Sequence, residues 1–213
     1  ITSGFKRLSV LLPQWQAPDV FTFISGFNYG ITLHPDAQVL GIGLDMFLGE
    51  NFPAYTSMML NLPQYVRHTQ TKDYIPSKAV YSAIDEIVGP PKSDMLLDQM
   101  LCNGKKLYLL KKCLPEVPDS IQNEYTSKQM HWCYENEGNI WLFLTQLDIF
   151  STDFTKFRKL IDLSPNSPGM PPEAPGRTAN WIGLRIVEKY MDSHPDASIK
   201  QLISSMESKQ LLN

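Results

Sequence analysis

The stretches Val20-Phe21-Thr22-Phe23-Ile24 and Val39-Leu40-Gly41-Ile42-Gly43-Leu44-Asp45-Met46-Phe47 decide the fold class of this chain. The first is a run of β-branched and aromatic residues, and the second alternates around Ile42 and Leu44, so both are typical of strands. Turn-forming residues lie between them, namely Gly26, Asn28, Gly30 and Pro35-Asp36. The pattern predicts a short antiparallel pair of strands near the N-terminus.

From about residue 53 onward, the sequence favours helices and loops, because apolar residues recur at helical spacing. The predicted helices cover residues 77–88, a segment from residue 96, residues 126–150 and 154–161, a segment after residue 177, and a last helix through Met206. Capping boxes of Thr126 with Gln129 and of Ser198 with Gln201 mark two of the helix starts. A short sheet followed by helices is the α+β pattern.

Length and charge exclude several classes of protein. The chain has 213 residues, which predicts a single domain over residues 1–213. Its net charge of -3 argues against a nucleic-acid partner, because such proteins present a basic face. No apolar run approaches the roughly 20 residues that a membrane-spanning helix needs.

No complete catalytic constellation occurs in the sequence. The histidines are too far apart for a local HExxH motif, and Ser25-Gly26 is an incomplete nucleophile elbow. The cysteines, Cys102, Cys113 and Cys133, form no CxxC pair, which excludes a zinc ribbon or a thioredoxin-like site. Free buried thiols are one interpretation, and a disulfide from Cys133 to either of the others is another. We therefore expect no cofactor, no metal and no enzymatic activity.

Three polar residues stand out on helices whose neighbouring positions are apolar. Glu137 and Asn103 lie on apolar stripes, where an unpaired polar group costs about 1–3 kcal/mol. They either line a polar pocket or satisfy an internal hydrogen bond. Arg177 stands at a helix start, where a cation is unfavourable unless a carboxylate holds it, and Glu137 or Asp45 would supply that carboxylate.

Several short strings occur together in a consistent order along nearly the whole chain. They are Phe5-Lys6-Arg7-Leu8, Gly41-Ile42-Gly43-Leu44-Asp45 with Phe47-Leu48-Gly49, Gly104-Lys105 with Leu107-Tyr108, Tyr125-Thr126 with Glu135-Asn136-Glu137 and Ile140-Trp141, and Pro175-Gly176-Arg177 with Trp181-Ile182-Gly183 and Ile186-Val187. In this order they resemble the GldB family of gliding-motility-associated lipoproteins of Bacteroidetes. The resemblance implies a fragment of a longer lipoprotein whose signal lies upstream of Ile1, lipid-anchored in the cell envelope, in the periplasm or at the outer membrane.

That family is in turn similar to zinc peptidases of the HExxH type, which implies a zincin-like fold. The metal helix of those peptidases corresponds to residues 77–88, which contain no histidine, and their Glu-Gly ligand position corresponds to Asn103-Gly104. The resemblance therefore implies a pseudo-peptidase without metal ligands. Its vestigial cleft would be lined by five residues, Asp45, Tyr81, Asn103, Glu137 and Arg177.

Two functions follow as expectations. The first is a noncatalytic envelope lipoprotein domain that binds a protein or peptide along an edge strand, linked to gliding motility or secretion machinery. Its membrane contact would run only through a lipid anchor outside this fragment. The alternative is a peptidase-like hydrolase with an unconventional site around Glu137, Asp45 and Arg177.

Overall fold

The computed structural model describes residues 1–204, Ser208 and Leu211. The chain divides into two compact units, one made of residues 1–87 and 110–126 and the other of residues 88–109 and 127–213. Since one domain can contain two such units, a single domain over residues 1–213 stays a prediction.

The first unit contains a helix followed by a three-stranded sheet. These elements are α1 (Thr2–Leu11), β1 (Asp19–Phe23), β2 (Ile31–His34) and β3 (Val39–Gly43). The order across the sheet is β1-β3-β2, so β3 is central and β1 lies at an edge. Together with the helices that follow, the sheet confirms the predicted α+β class.

The predicted antiparallel pairing of the two strands is wrong. β1 pairs with β3 in parallel, with Asp19 opposite Val39, and β2 pairs with β3 antiparallel. The short segment Ile31–His34, which lies among turn residues, forms a strand that the sequence analysis missed. β2 and β3 form a hairpin, so β2 occupies one edge of β3 and β1 lies at the other. The chain reverses direction once before β2 and once after it, and β1 therefore runs parallel to β3.

The remainder of the first unit consists of short turns and helices. Its helices are α2 (Gln64–Arg67), α3 (Ile75–Val88, up to Ile87 in this unit), the end of α4 (Leu96–Cys113) and α5 (Asp119–Gln122). On α1, Gly4 lies so close to Val80 of α3 and to Leu114 that a methyl group there would come within 2.7 Å of Val80. Arg7 of α1 donates to the carbonyl oxygen of Cys113 at 2.9 Å. These contacts hold α1 against the core of the unit.

The second unit is helical in its described part. It contains most of α4, then α6 (Ser127–Glu135), α7 (Glu137–Gln146), α8 (Phe154–Ile161), α9 (Thr178–Ser193) and α10 (Ile199–Ser204). Trp181 of α9 and Phe157 of α8 are among its largest fully buried side chains. α9 packs against both α7 and α8 and is therefore the central helix of this unit.

The single helix predicted over residues 126–150 is wrong, because the structure breaks it at Asn136. α6 ends at Glu135, and Asn136 leaves helical geometry at φ -112° and ψ 16° before α7 begins. The Asn136 side chain donates to the carbonyl oxygen of Trp132 at 2.9 Å, which gives a carbonyl group in the last turn of α6 a hydrogen-bond partner. Asn136, Gly138 and Asn139 are weak helix formers, so the break has a local cause.

The last helix starts as the capping box predicts. The backbone N–H of Ser198 donates to the Gln201 side chain at 2.8 Å, and the backbone N–H of Gln201 donates to the Ser198 hydroxyl at 3.2 Å. The predicted end of this helix at Met206 lies outside the described residues.

Candidate functional site

A pocket of about 560 Å³ opens between α7 and α9 in the second unit. Its apolar walls come from Trp141, Ile182, Ile186 and Leu211, and its polar lining comes from Glu137, Arg185, Lys189, Tyr190 and Ser193. The volume lies in the range of small-molecule and cofactor sites, and so does the combination of apolar walls with a few polar groups.

Helical spacing explains why these side chains meet. On α9, Ile182, Ile186 and Lys189 follow one another at intervals of four and three residues, which places them on one face. On α7, Glu137 and Trp141 are four residues apart and share a face in the same way. Gly138 also lines the pocket, and a methyl group added there would meet nothing within 4 Å. The missing side chain keeps this end of the pocket open.

An ion-pair network fixes the polar end of the pocket. The Arg185 guanidinium donates from Nε to Glu137 at 3.1 Å, and its Nη1 donates to Glu188. Burial alone would lower the pKa of Arg185, but the hydrogen bonds and charges of Glu137 and Glu188 raise it above its ordinary value. Arg185 therefore remains a cation, and the two carboxylates that hold it outnumber it in charge.

Glu137 was predicted as a site residue from the sequence, but its ion-pair partner Arg185 was not. Arg185 lies between the apolar residues Ile182 and Ile186 in the sequence of α9, and a charge next to apolar positions is the same signal that drew attention to Glu137 and Asn103. A search for every charged residue on an apolar stripe would have found it.

Asn103 satisfies an internal hydrogen bond. Its side-chain Nδ2 donates to Oδ1 of Asn180 at 3.0 Å, and Nδ2 of Asn180 donates to the carbonyl oxygen of Ile161 at 2.8 Å. This chain of bonds connects α4 to α9 and α9 to the end of α8. It corresponds to the hydrogen-bonded alternative that the sequence left open for Asn103.

Arg177 precedes α9 in a left-handed backbone conformation, with φ 61°. Its backbone N–H donates to the carbonyl oxygen of Lys159 at 3.1 Å, which joins the start of α9 to α8. Of the two carboxylates predicted as partners of Arg177, that of Glu137 pairs with Arg185, and that of Asp45 accepts the backbone N–H groups of Ser25 and Phe27.

In the first unit, Asp45 is buried and stabilises a loop. Its carboxylate accepts the backbone N–H of Ser25 at 3.0 Å, that of Phe27 at 2.7 Å, and the Ser25 hydroxyl. The Tyr55 hydroxyl donates to the carbonyl oxygen of Asp45 and accepts the N–H of Leu48. Burial would raise the pKa of Asp45, but the hydrogen bonds from Ser25 and Phe27 outweigh it, and the pKa lies below its ordinary value.

Tyr81 is half-buried on α3 in the first unit, on the helix for which the sequence resemblance implied a lost metal site. The whole of α3 contains no histidine. In the described part of the chain, no group of three or more His, Cys, Asp or Glu side chains is arranged to hold a metal ion.

The cysteines are free and buried. Burial raises the pKa of Cys113 to about 12 and that of Cys133 to about 12, so both stay protonated thiols at neutral pH. A protonated thiol is a poor nucleophile, which favours the structural interpretation of Cys133. His131, the histidine nearest to Cys133 in sequence, lies at the surface and contacts Glu135 at 3.1 Å.

β1 exposes apolar side chains on both of its faces. Phe21 is 56% exposed, and Val20, whose side chain points to the opposite face, is also exposed. Ile24, immediately after the strand, is 74% exposed. The other strand of the pair, β3, is largely buried. An exposed apolar edge of this kind is a surface for interaction.

The backbone of β1 leaves alternate amides unpaired within the sheet. The N–H of Asp19 donates to the carbonyl oxygen of Gln38, next to β3, so Asp19, Phe21 and Phe23 direct their backbone groups toward β3. Val20 and Thr22 therefore direct their N–H and C=O groups away from the sheet.

No helix in the described part of the chain combines the length and the apolar character that crossing a bilayer requires. No curated protein and no solved structure matches the chain. The family model described as gliding motility protein GldB matches residues 1–213. This match confirms the family predicted from the sequence strings. The chain belongs to the GldB family of gliding-motility-associated lipoproteins of the cell envelope.

Proposed function

We propose that this chain is a noncatalytic domain that binds an extended segment of an envelope protein or peptide along the outer edge of β1. The domain would be held at the membrane, in the periplasm or at the outer membrane, by its lipid anchor. Its role would be connected with gliding motility or secretion machinery. The observation that carries the proposal is the unpaired apolar edge of β1.

Strand addition fits this edge because it supplies both kinds of contact that such binding uses. The backbone groups of Val20 and Thr22 offer hydrogen bonds to an incoming strand, and the side chains of Val20 and Phe21 offer apolar contacts on the two faces. Natural edge strands are commonly protected by lysine or proline. The sequence of β1, DVFTF, contains neither.

We further propose that the domain is a degenerate zincin-like pseudo-peptidase. Two features support this. The helix α3 has no histidine, and Asn103 has an amide in place of a ligand carboxylate and donates from it to Asn180. The carboxylates of the alternative hydrolase site are likewise engaged, since Asp45 accepts bonds from its own loop and Glu137 pairs with Arg185.

Replacing Thr22 with proline should abolish strand addition while preserving the sheet. Proline removes the N–H at position 22, which points away from β3, and leaves every hydrogen bond between β1 and β3 in place. The measurement is affinity for strand-length peptides selected from a library in which β-branched and polar residues alternate. We expect Thr22→Pro to weaken binding by about tenfold or more, as expected for a lost hydrogen bond that leaves its partner unpaired.

The matched control is Thr22→Val, which keeps the N–H and nearly the same shape. It should bind the selected peptides as the unchanged chain does. Equal binding by Thr22→Pro and Thr22→Val would contradict strand addition at β1. Circular dichroism and thermal unfolding of both variants establish that the fold is retained.

A further inference from the structure

We infer that the pocket between α7 and α9 binds a carboxylate that carries an apolar tail, with the carboxylate at Lys189 and the tail against the apolar wall. This inference concerns a surface of the second unit and does not depend on peptide binding at β1. It rests on the shape of the pocket and on the distribution of charge around it.

The apolar wall is deep and formed by large side chains. Ile182 is 2% exposed and Leu211 is 3% exposed, so both form the floor, and Trp141 and Ile186 contribute the half-buried sides. An apolar tail placed here would move out of water and into contact with an aromatic ring and branched aliphatic groups. Burial of apolar area supplies most of the affinity in such pockets.

The charged side chains that line the pocket differ in whether they already have an ion-pair partner. Arg185 is engaged by both Glu137 and Glu188, so its charge is already compensated within the protein. Lys189 lines the same pocket and is exposed. Among the described residues, no side chain pairs with its ammonium group. Lys189 is therefore the charged side chain of the lining that has no ion-pair partner among the described residues, and a ligand group that pairs with it is an anion.

The remaining polar groups shape the pocket more than they attract a ligand. The Ser193 hydroxyl donates to the carbonyl oxygens of Lys189 and Tyr190 at 2.9 Å, inside its own helix. The Tyr190 ring stacks on His194 with centroids 4.1 Å apart, which fixes one wall. Lys189, on a long flexible stem, is the group free to meet a carboxylate at the opening.

A carboxylate with an apolar tail has two sources, a free fatty acid and a peptide that ends in a large apolar residue. Octanoate and a short N-acetylated peptide that ends in leucine and contains no charged side chain represent the two sources. Octanol and the same peptide with an amidated end are the uncharged counterparts. Binding of either charged probe supports the inference and identifies the source.

Calorimetric titration of the unchanged chain should show that at least one charged probe binds about fivefold more tightly than its uncharged counterpart, the size expected of a single partly exposed ion pair. Lys189→Met should remove this preference and retain binding of the uncharged probe. Lys128→Met is the matched control, because Lys128 is an exposed lysine on α6 outside the pocket. It should retain the preference.

Gly138→Leu tests the location, because a side chain at this position enters open space in the pocket. It should weaken binding of charged and uncharged probes alike by about tenfold, as expected when a buried apolar tail of a few carbons is excluded. Unchanged binding by Gly138→Leu would overturn the inference, and so would equal affinity for charged and uncharged probes. Failure of every probe to bind would overturn it as well. Peptide binding at β1 is unaffected by each of these results.

Discussion

Gly183→Ala should lower the free energy of unfolding by about 3 kcal/mol or more, because it forces two helices apart. α4 and α9 cross with their backbones in contact. A methyl group on Gly183 would lie 1.9 Å from the carbonyl oxygen of Met100, and one on Gly104 would lie 2.2 Å from the carbonyl carbon of Gly183. These neighbours are backbone atoms within helices, so relief requires the movement of a whole helix. Chemical denaturation monitored by circular dichroism measures the loss.

Gly138→Ala is the matched control for this prediction. Gly138 also lies in a helix, but a methyl group there would meet nothing within 4 Å. Alanine at this position should therefore stabilise the chain by up to about 1 kcal/mol through helix propensity. If Gly183→Ala were as stable as the unchanged chain, the close crossing of α4 and α9 would be wrong.

Asp45→Asn should lower the free energy of unfolding by about 2–3 kcal/mol at neutral pH. The substitution removes a buried charge that accepts two backbone N–H groups and a hydroxyl, and the amide offers only one acceptor oxygen. Ser25→Ala is the control variant: it keeps both backbone donors to Asp45 and removes the hydroxyl, which also accepts the N–H groups of the exposed residues Asn28 and Tyr29. It should cost less than Asp45→Asn, on the order of 1 kcal/mol.

The effect of Asp45 should depend on pH in a defined direction. Because the pKa of Asp45 in the folded chain lies below its ordinary value of 3.8, its contribution is fully present above pH 3.8 and is lost as the pH falls through the folded value. The difference in stability between the unchanged chain and Asp45→Asn should therefore be constant near neutral pH and shrink below 3.8. A constant difference down to pH 2 would show that the carboxylate has no special role.

The sequence predicts the fold class because hydrophobic periodicity is a local property. The run over residues 20–24 and the helical stripe over residues 77–88 each carry enough of the pattern to identify an element. Strand order is not a local property. The parallel pairing of β1 with β3 depends on β2 (Ile31–His34), a strand too short to be recognised among turn residues. The break at Asn136 is a local signal that a longer apolar stripe obscured.

The candidate site was predictable in part. Glu137 was found because a charge on an apolar stripe is visible in the sequence, and the structure places it in the pocket. Its partner Arg185 depends on which helix lies opposite, and that is set by packing. Asp45 was singled out as a site residue, and the structure shows that its carboxylate closes a loop through Ser25 and Phe27. Gly104, the second residue of the Asn103-Gly104 pair that was compared with a Glu-Gly ligand position, lies against the backbone of Gly183.

Metal content is the property that most directly separates a noncatalytic domain from a zinc peptidase. The chain would be produced and purified without added metal, and its zinc would be measured by mass spectrometry against protein concentration. A noncatalytic domain should contain zinc far below one atom per chain, and added zinc should leave thermal stability unchanged, since binding to the folded state would raise it. One zinc atom retained per chain after dialysis would contradict the proposal that this domain binds without catalysing.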